Sequence, residues 1–288
     1  MKVFLRNIYF RIKNIPFVWR YFFNLLPRFK FILNRPKLSL TQSKILNDLI
    51  KQGIAITTVD DFFGNPSILP TLVSYITPRL SDATTETKKT SYKLLWKPNQ
   101  PFDLENPFLK ISLDNKVLDV INSYLGLWSV LKNYLVSISD PVGIGAPPTD
   151  SQRWHRDPEE WRICKMFIYL SDVDETSGPF VYIKESSWGK QYGHLFPQKP
   201  PAGNYPDPKE VESKIPGEAT CSYTGRKGTI IFCDTTGLHR GGYATKKDRI
   251  MFTAFYSAPS YKNRPWYTRP NSFNKNNLPP IVQHTLGY

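Results

Sequence analysis

Trp154-His155-Arg156-Asp157 places an imidazole and a carboxylate two residues apart, and Leu238-His239-Arg240-Gly241 supplies a second imidazole 84 residues after His155. On an extended strand, residues i and i+2 project from the same face, so His155 and Asp157 point the same way. Two imidazoles and one carboxylate cover one face of an octahedral metal and leave the opposite positions open. That is the ligand set of a mononuclear iron(II) oxygenase site. His239 must then come from a neighbouring strand. The chain has four His (155, 194, 239 and 284), and two of them enter this one pattern. Arg249 follows His239 by about a strand and a turn, where it can return to the same cavity. A guanidinium there pairs bidentately with a carboxylate of a co-substrate.

The elements around these motifs read as helices first and strands afterwards. Residues 41–52 form an expected helix, with Thr41 as cap, an Ile45/Leu46/Leu49/Ile50 stripe and Gly53 as stop. Ile54 to Thr57 reads as a strand, Pro66 to Leu80 as helical, and Ser81 to Pro107 as polar and irregular. Leu113 to Leu125, closed by Gly126, is a second amphipathic helix. Strand signals then dominate at 134–139, 163–170, 179–183, 228–233 and 249–257. The order argues for a mainly β fold with flanking helices, a double-stranded β-helix or jelly roll with the ligands in its mouth. Residues 189–227 carry Pro197, Pro200, Pro201, Pro206, Pro208 and Pro216 and read as an insertion, either a lid over the mouth or a surface loop.

The surroundings of the motifs resemble the phytanoyl-CoA dioxygenase-like family of iron(II)/2-oxoglutarate oxygenases. The matching residues are Gln152 to Glu159, Lys165 to Asp174, Ser177 to Ile183 and Ser186-Ser187-Trp188. The likeness continues in Gly228 to Phe232, Asp234, Leu238 to Gly241 and Arg249, and upstream in Gly53 to Ile56 and Asp61-Phe62-Phe63. It covers about residues 40 to 260. The resemblance implies that His155, Asp157 and His239 ligate iron(II), that Arg249 holds the distal carboxylate of 2-oxoglutarate, and that dioxygen is consumed, with ascorbate as a possible stimulant. It also implies hydroxylation, since family members that halogenate lack the carboxylate. Members often carry a small hydroxyl residue two positions after the distal His; here that position is Gly241, so another residue must take its part.

Composition bounds the rest. A chain of 288 residues buries a sizeable core as one β-rich domain, here residues 38–288. Three scattered Cys (164, 221 and 233) exclude a disulfide framework or Cys-based zinc site, and point to a reducing, cytoplasmic compartment. The net charge of +14 is concentrated at the start. Before the first acidic residue, Asp48, stand ten cations: Lys2, Arg6, Arg11, Lys13, Arg20, Arg28, Lys30, Arg35, Lys37 and Lys44. No nucleic-acid partner is therefore expected. Residues 1–37 also hold ten aromatics, with Phe4, Leu5, Ile8, Ile12 and Ile15 at helical spacing. No run reaches the ~18 apolar residues that span a bilayer, and no cleavage site marks a signal peptide. The segment reads as an amphipathic module lying on an anionic membrane, at the inner face of the cytoplasmic membrane, or else as helices packed on the core.

Substrate signals are thinner. Lys165 shares strand parity with Phe167 and Tyr169, so it either faces the interior as a carboxylate or phosphate contact or ends its strand in solvent. Arg162 and Arg240 flank the motifs and point to an anionic substrate, for which a lipid-linked sugar is the leading expectation. A soluble oxygenase of a small metabolite or acyl-thioester, and a metal-binding barrel without turnover, stay open beside it.

Overall fold

The computed structural model describes residues 8–9, 11–84, 92–142, 145–197, 205–271 and 273–288. The helix Leu40–Gln52 opens with a reciprocal cap. Ser39 Oγ accepts from the Gln42 amide, and the Gln42 side chain accepts from Ser39 N–H. The cap is thus Ser39 and not Thr41, because Ser39 has the extended backbone and a Gln three residues on. Gly53 closes the helix at φ 81°; a Cβ there would lie 2.3 Å from the Tyr182 hydroxyl. Glycine lets the chain turn from helix into strand against that tyrosine. Ile68–Ile76 is helical and tightens into a 3-10 segment at Thr77–Asp82, where Pro78 removes an N–H. Asn115–Leu125 is capped by Asp114 and closed by Gly126; a separate short helix, Pro107–Ser112, precedes it.

Among the described residues the strands, in chain order, are β1 (Ile54–Thr58), β2 (Lys93–Leu94), β3 (Gln100–Pro101), β4 (Val130–Ser139), β5 (Cys164–Tyr169), β6 (Phe180–Ile183), β7 (Thr220–Tyr223), β8 (Thr229–Cys233), β9 (His239–Arg240), β10 (Arg249–Ser257) and β11 (Tyr267–Thr268). Six of them make an antiparallel sheet in the order β1-β8-β5-β10-β4-β2, and three make a second in the order β7-β6-β9.

Side-chain alternation divides the large sheet. Ile54, Phe167, Tyr169, Ile231, Cys233 and Met251 pack with Phe180 and Tyr182 of the small sheet. The alternate residues, among them Met166, Ile168, Ile230, Phe232 and Phe252, pack with Leu49, Leu72, Phe108, Leu118 and Ile121 of the helices. Burying each such side chain contributes roughly 1.5–3 kcal/mol, so the helices hold one face while the other is left to build a cavity. All three cysteines are free, with Cys164 and Cys233 buried.

Two segments expected to lie outside the sheets do more than that. Within 189–227, β7 pairs along β6, so the chain leaves the sheet only before Thr220. Val211 and Ile215, on or just after the helix Pro208–Lys214, pack with Trp154, Ile183 and Leu238. Pro200 and Pro201 lie outside the described residues. At the N-terminus, Lys2, Phe4, Leu5, Arg6 and Phe10 also lie outside them. From Pro16 the chain runs through a helical turn, a wider π-type turn at Trp19–Phe23 and the helix Leu25–Leu33. Its inner face is pinned to the domain by buried Glu160. Lys13 Nζ and the Ser260 hydroxyl each lie 2.9 Å from Glu160 Oε1, and Trp19 Nε1 donates to Oε2 at 2.6 Å. Asn24 completes the cluster by donating to Ser260 Oγ.

Candidate metal centre and co-substrate cavity

His155 and Asp157 lie on an extended segment before β5, and His239 opens β9. His155 and His239 form an antiparallel bridge with two 3.0 Å backbone hydrogen bonds, and Asp157 N–H donates to Thr235 at 2.9 Å. That pairing brings the three side chains together from 84 residues apart. Their ligating atoms all lie within 4.8 Å of one another, and the two imidazole centroids are 4.1 Å apart.

Each imidazole is oriented by its other nitrogen. His155 Nδ1 is 2.8 Å from the Arg153 carbonyl and His239 Nδ1 is 2.9 Å from the Gly237 carbonyl. Such contacts set the proton on Nδ1 and leave Nε2 with a free lone pair. Burial lowers the pKa of both, His239 to about 3. Both imidazoles are therefore neutral and ready to donate electrons at physiological pH.

Lys165 faces the interior, and its carboxylate partner is Asp157, with Nζ 2.6 Å from Oδ2. Burial alone would push the Asp157 carboxyl up. The Lys165 ammonium and the imidazoles reverse this and hold it well below the usual range. Burial depresses Lys165 too, but Asp157 and Glu159 outweigh it, so the ammonium stays charged.

A cavity of about 330 Å³ opens beside the triad. His155 and His239 line it together with Lys165 and Arg249; Phe167, Phe180 and Met251 give it dry walls. Arg249 is buried, directly opposite Ser139 across the β10–β4 pair, with Nη2 3.5 Å from the Ser139 hydroxyl. Its Nη1 donates to the Gly178 carbonyl at 2.7 Å, while Nε is buried without a partner. An orphaned donor on a buried cation is costly, and a carboxylate in the cavity would satisfy it. A Cβ at Gly241 would lie 3.3 Å from Arg249 Nη1. Position 241 offers no hydroxyl, and Ser139, on the paired strand, places one beside Arg249 in the cavity lining.

Other expected contacts are not brought to this cavity. Arg162 donates to the Tyr124 carbonyl and stacks on the Trp161 ring; Arg240 lies over the Trp154 ring. Neither lines the cavity. Its further cations are Lys132, which donates to the Tyr261 and Asn263 carbonyls, and Arg264. Glu159, which ends the stretch Gln152 to Glu159 and was assigned no role there, also lines it, its carboxyl pushed up to about 7 by burial and by Asp157. The two-residue parity linking His155 to Asp157 extends to Glu159 and was the signal available. Ser139 had none, because its relation to Arg249 is a sheet register.

No protein-family model matches the chain, and no curated protein matches it. Among solved structures it is similar to the epimerase SnoN in complex with Fe3+, alpha ketoglutarate and nogalamycin RO. The identity is 12%, covering 81% of this chain and 92% of that one, with a TM-score of 0.57. It is also similar to EctD from S. alaskensis with bound Fe, at 17% identity, 81% and 82% coverage and a TM-score of 0.55. Likeness at these identities establishes the fold: the chain is built as SnoN and EctD are, from a β-sheet core with flanking helices. The donor set itself, two neutral imidazoles and an ionised carboxylate with room beside them, fits a divalent iron.

Proposed function

We propose that this chain is an iron(II)- and 2-oxoglutarate-dependent hydroxylase built on a double-stranded β-helix. The observation that carries the reading is the cavity: metal-donor atoms at one end and a buried arginine with an orphaned N–H at the other. When bound, iron(II) with 2-oxoglutarate supplies the oxidation, in which dioxygen and the 2-oxo acid give succinate, carbon dioxide and a hydroxylated substrate.

The chain's own residues hold and aim these groups. His155 and His239 present Nε2, and Asp157 presents a carboxylate whose charge Lys165 offsets. Retention of that carboxylate favours hydroxylation over halogenation. Arg249 and Ser139 receive the far carboxylate of the co-substrate, and Phe167, Phe180 and Met251 keep water from it. Arg249→Lys replaces the planar fork with a point charge. Loss of one charge-assisted hydrogen bond, about 1.5–3 kcal/mol, raises the KM for 2-oxoglutarate roughly 10- to 150-fold. Ser139→Ala removes a hydroxyl bond to the same carboxylate, also a bond to a charged group of about 1.5–3 kcal/mol, and raises it roughly 10- to 150-fold. An unchanged KM in Arg249→Lys would sink the co-substrate assignment.

The finer reading is an anionic, lipid-linked sugar, with the 3-deoxy-D-manno-oct-2-ulosonic acid (Kdo) of lipid A as the best candidate. Its support is chemical. Beyond Lys165, whose charge Asp157 offsets, Lys132 and Arg264 make the cavity lining cationic, and the Tyr261 and Trp266 rings offer stacking faces to a pyranose. The test is succinate release with iron(II), 2-oxoglutarate and ascorbate. Lipid A-linked Kdo would be compared with soluble metabolites and acyl-thioesters, and products checked by mass for one added oxygen. Turnover confined to a soluble compound would replace the sugar. No coupled turnover with any substrate, despite bound iron, would favour a non-catalytic metal-binding barrel.

A further inference from the structure

The N-terminal segment that Glu160 pins to the domain has a second face. Among the described residues, fourteen of the eighteen exposed large apolar side chains lie between Ile8 and Leu40. On and just before the helix Leu25–Leu33 they form a stripe at helical spacing: Phe22 is 71% exposed, Leu26 74%, Phe29 56% and Leu33 67%. The opposite side of this helix buries Pro27 and Phe31 against the domain. A surface helix packed on a core ordinarily turns polar residues outward; one that is apolar on both sides is covered on both.

We propose that this outer face docks on an anionic lipid bilayer as a monotopic platform, with Phe22, Leu26, Phe29 and Leu33 inserted at the level of the headgroups. The choice of occupant rests on charge and length. Arg11, Lys30, Arg35 and Lys37 are exposed in the same segment, and the sequence holds no acidic residue before Asp48. Two copies packed face to face would oppose like charges around the apolar stripe, whereas anionic headgroups complement them. Among the described residues no helix is long and apolar enough to cross a membrane, so the face lies on the surface.

The platform is also joined to the cavity wall. Lys13 pairs with Glu160, next in sequence to the cavity-lining Glu159, and its Nζ lies 5.9 Å from the ring of Tyr261, another lining residue. Docking therefore fixes the cavity at a set orientation to the lipid surface.

The test is flotation of the full-length protein with vesicles of phosphatidylglycerol and phosphatidylethanolamine, against vesicles of phosphatidylcholine alone. The protein is expected to float with the anionic vesicles and to be partly released by high salt. Phe22→Glu/Leu26→Glu, at two exposed positions, should lower the partition coefficient on the order of a hundredfold or more with an unchanged melting temperature. Lys30→Glu/Arg35→Glu/Lys37→Glu, which leaves the apolar stripe intact, should lower it on the order of a hundredfold on anionic vesicles only. Failure of the unmodified protein to float with anionic vesicles would overturn the proposal, as would equal binding to phosphatidylcholine. So would a dimer in analytical ultracentrifugation that Phe22→Glu/Leu26→Glu dissociates, because the face would then join two copies of this chain.

Discussion

Replacement of His239 by Ala is expected to abolish 2-oxoglutarate turnover and to leave stoichiometric iron(II) in solution. Three protein ligands are few, and His239 is the one that the sheet pairing brings across to His155 and Asp157. The loss should exceed the roughly 100-fold that follows from removing a group hydrogen-bonded to a ligand. Folding should survive, since Lys165 and Asp157 still pair. Asp157→Ala should also abolish that turnover, but by a different route. It takes from the part-buried Lys165 ammonium its 2.6 Å partner and leaves it Glu159 alone, which costs about 1.5–3 kcal/mol of stability, so its melting temperature falls further than that of His239→Ala. Metal content after dialysis, succinate yield and thermal melting separate the two. Near-wild-type turnover by His239→Ala, with iron not in excess, would remove it from the ligand set.

Arg156→Met is expected to lower stability by at least about 4 kcal/mol, although Arg156 touches neither the proposed metal nor the co-substrate. Its guanidinium is 1% exposed and donates to the carbonyls of Ser186, Tyr192, Leu195, Phe196 and Thr236. Burial lowers its pKa to about 10, which leaves it charged at physiological pH. Five carbonyls from two loops replace its water, and they tie residues 186–196 to the turn that precedes His239. Methionine fills similar volume and satisfies none of them. For a domain of this size, the change should appear as a fall of about 10 °C in melting temperature. Arg156→Lys, with three donors, should fall between the two. A methionine variant that melts with the wild type would show that these carbonyls find other partners.

Side-chain alternation made His155 and Asp157 legible as neighbours on one face, and it placed Lys165 in parity with Phe167 and Tyr169 while leaving open whether Lys165 faces the interior or solvent. It left Lys165 without a stated partner, because Asp157 approaches from a different segment. Helix limits were readable where glycine stops them, at Gly53 and Gly126. They were less so at the starts, where the side-chain oxygens of Ser39 and Asp114 cap the first turns from positions set by the backbone. Arg162 and Arg240 looked like cavity cations by their place beside the motifs. In the fold each stacks on an aromatic ring and turns from the cavity, since adjacency in sequence does not set the direction of a side chain on irregular backbone.

Local periodicity and residue chemistry by themselves determined the helix-then-strand order, the paired spacing of His155 and Asp157, and the basic, aromatic character of the first 37 residues. The tertiary structure alone decided which distant residues meet. Ser139 faces Arg249 through the β4–β10 register, Glu160 gathers Lys13, Trp19 and Ser260, and five carbonyls converge on Arg156. Each of these depends on strand register or loop closure across many residues. Those are set by the packing of the whole core, and no local pattern in the chain encodes them.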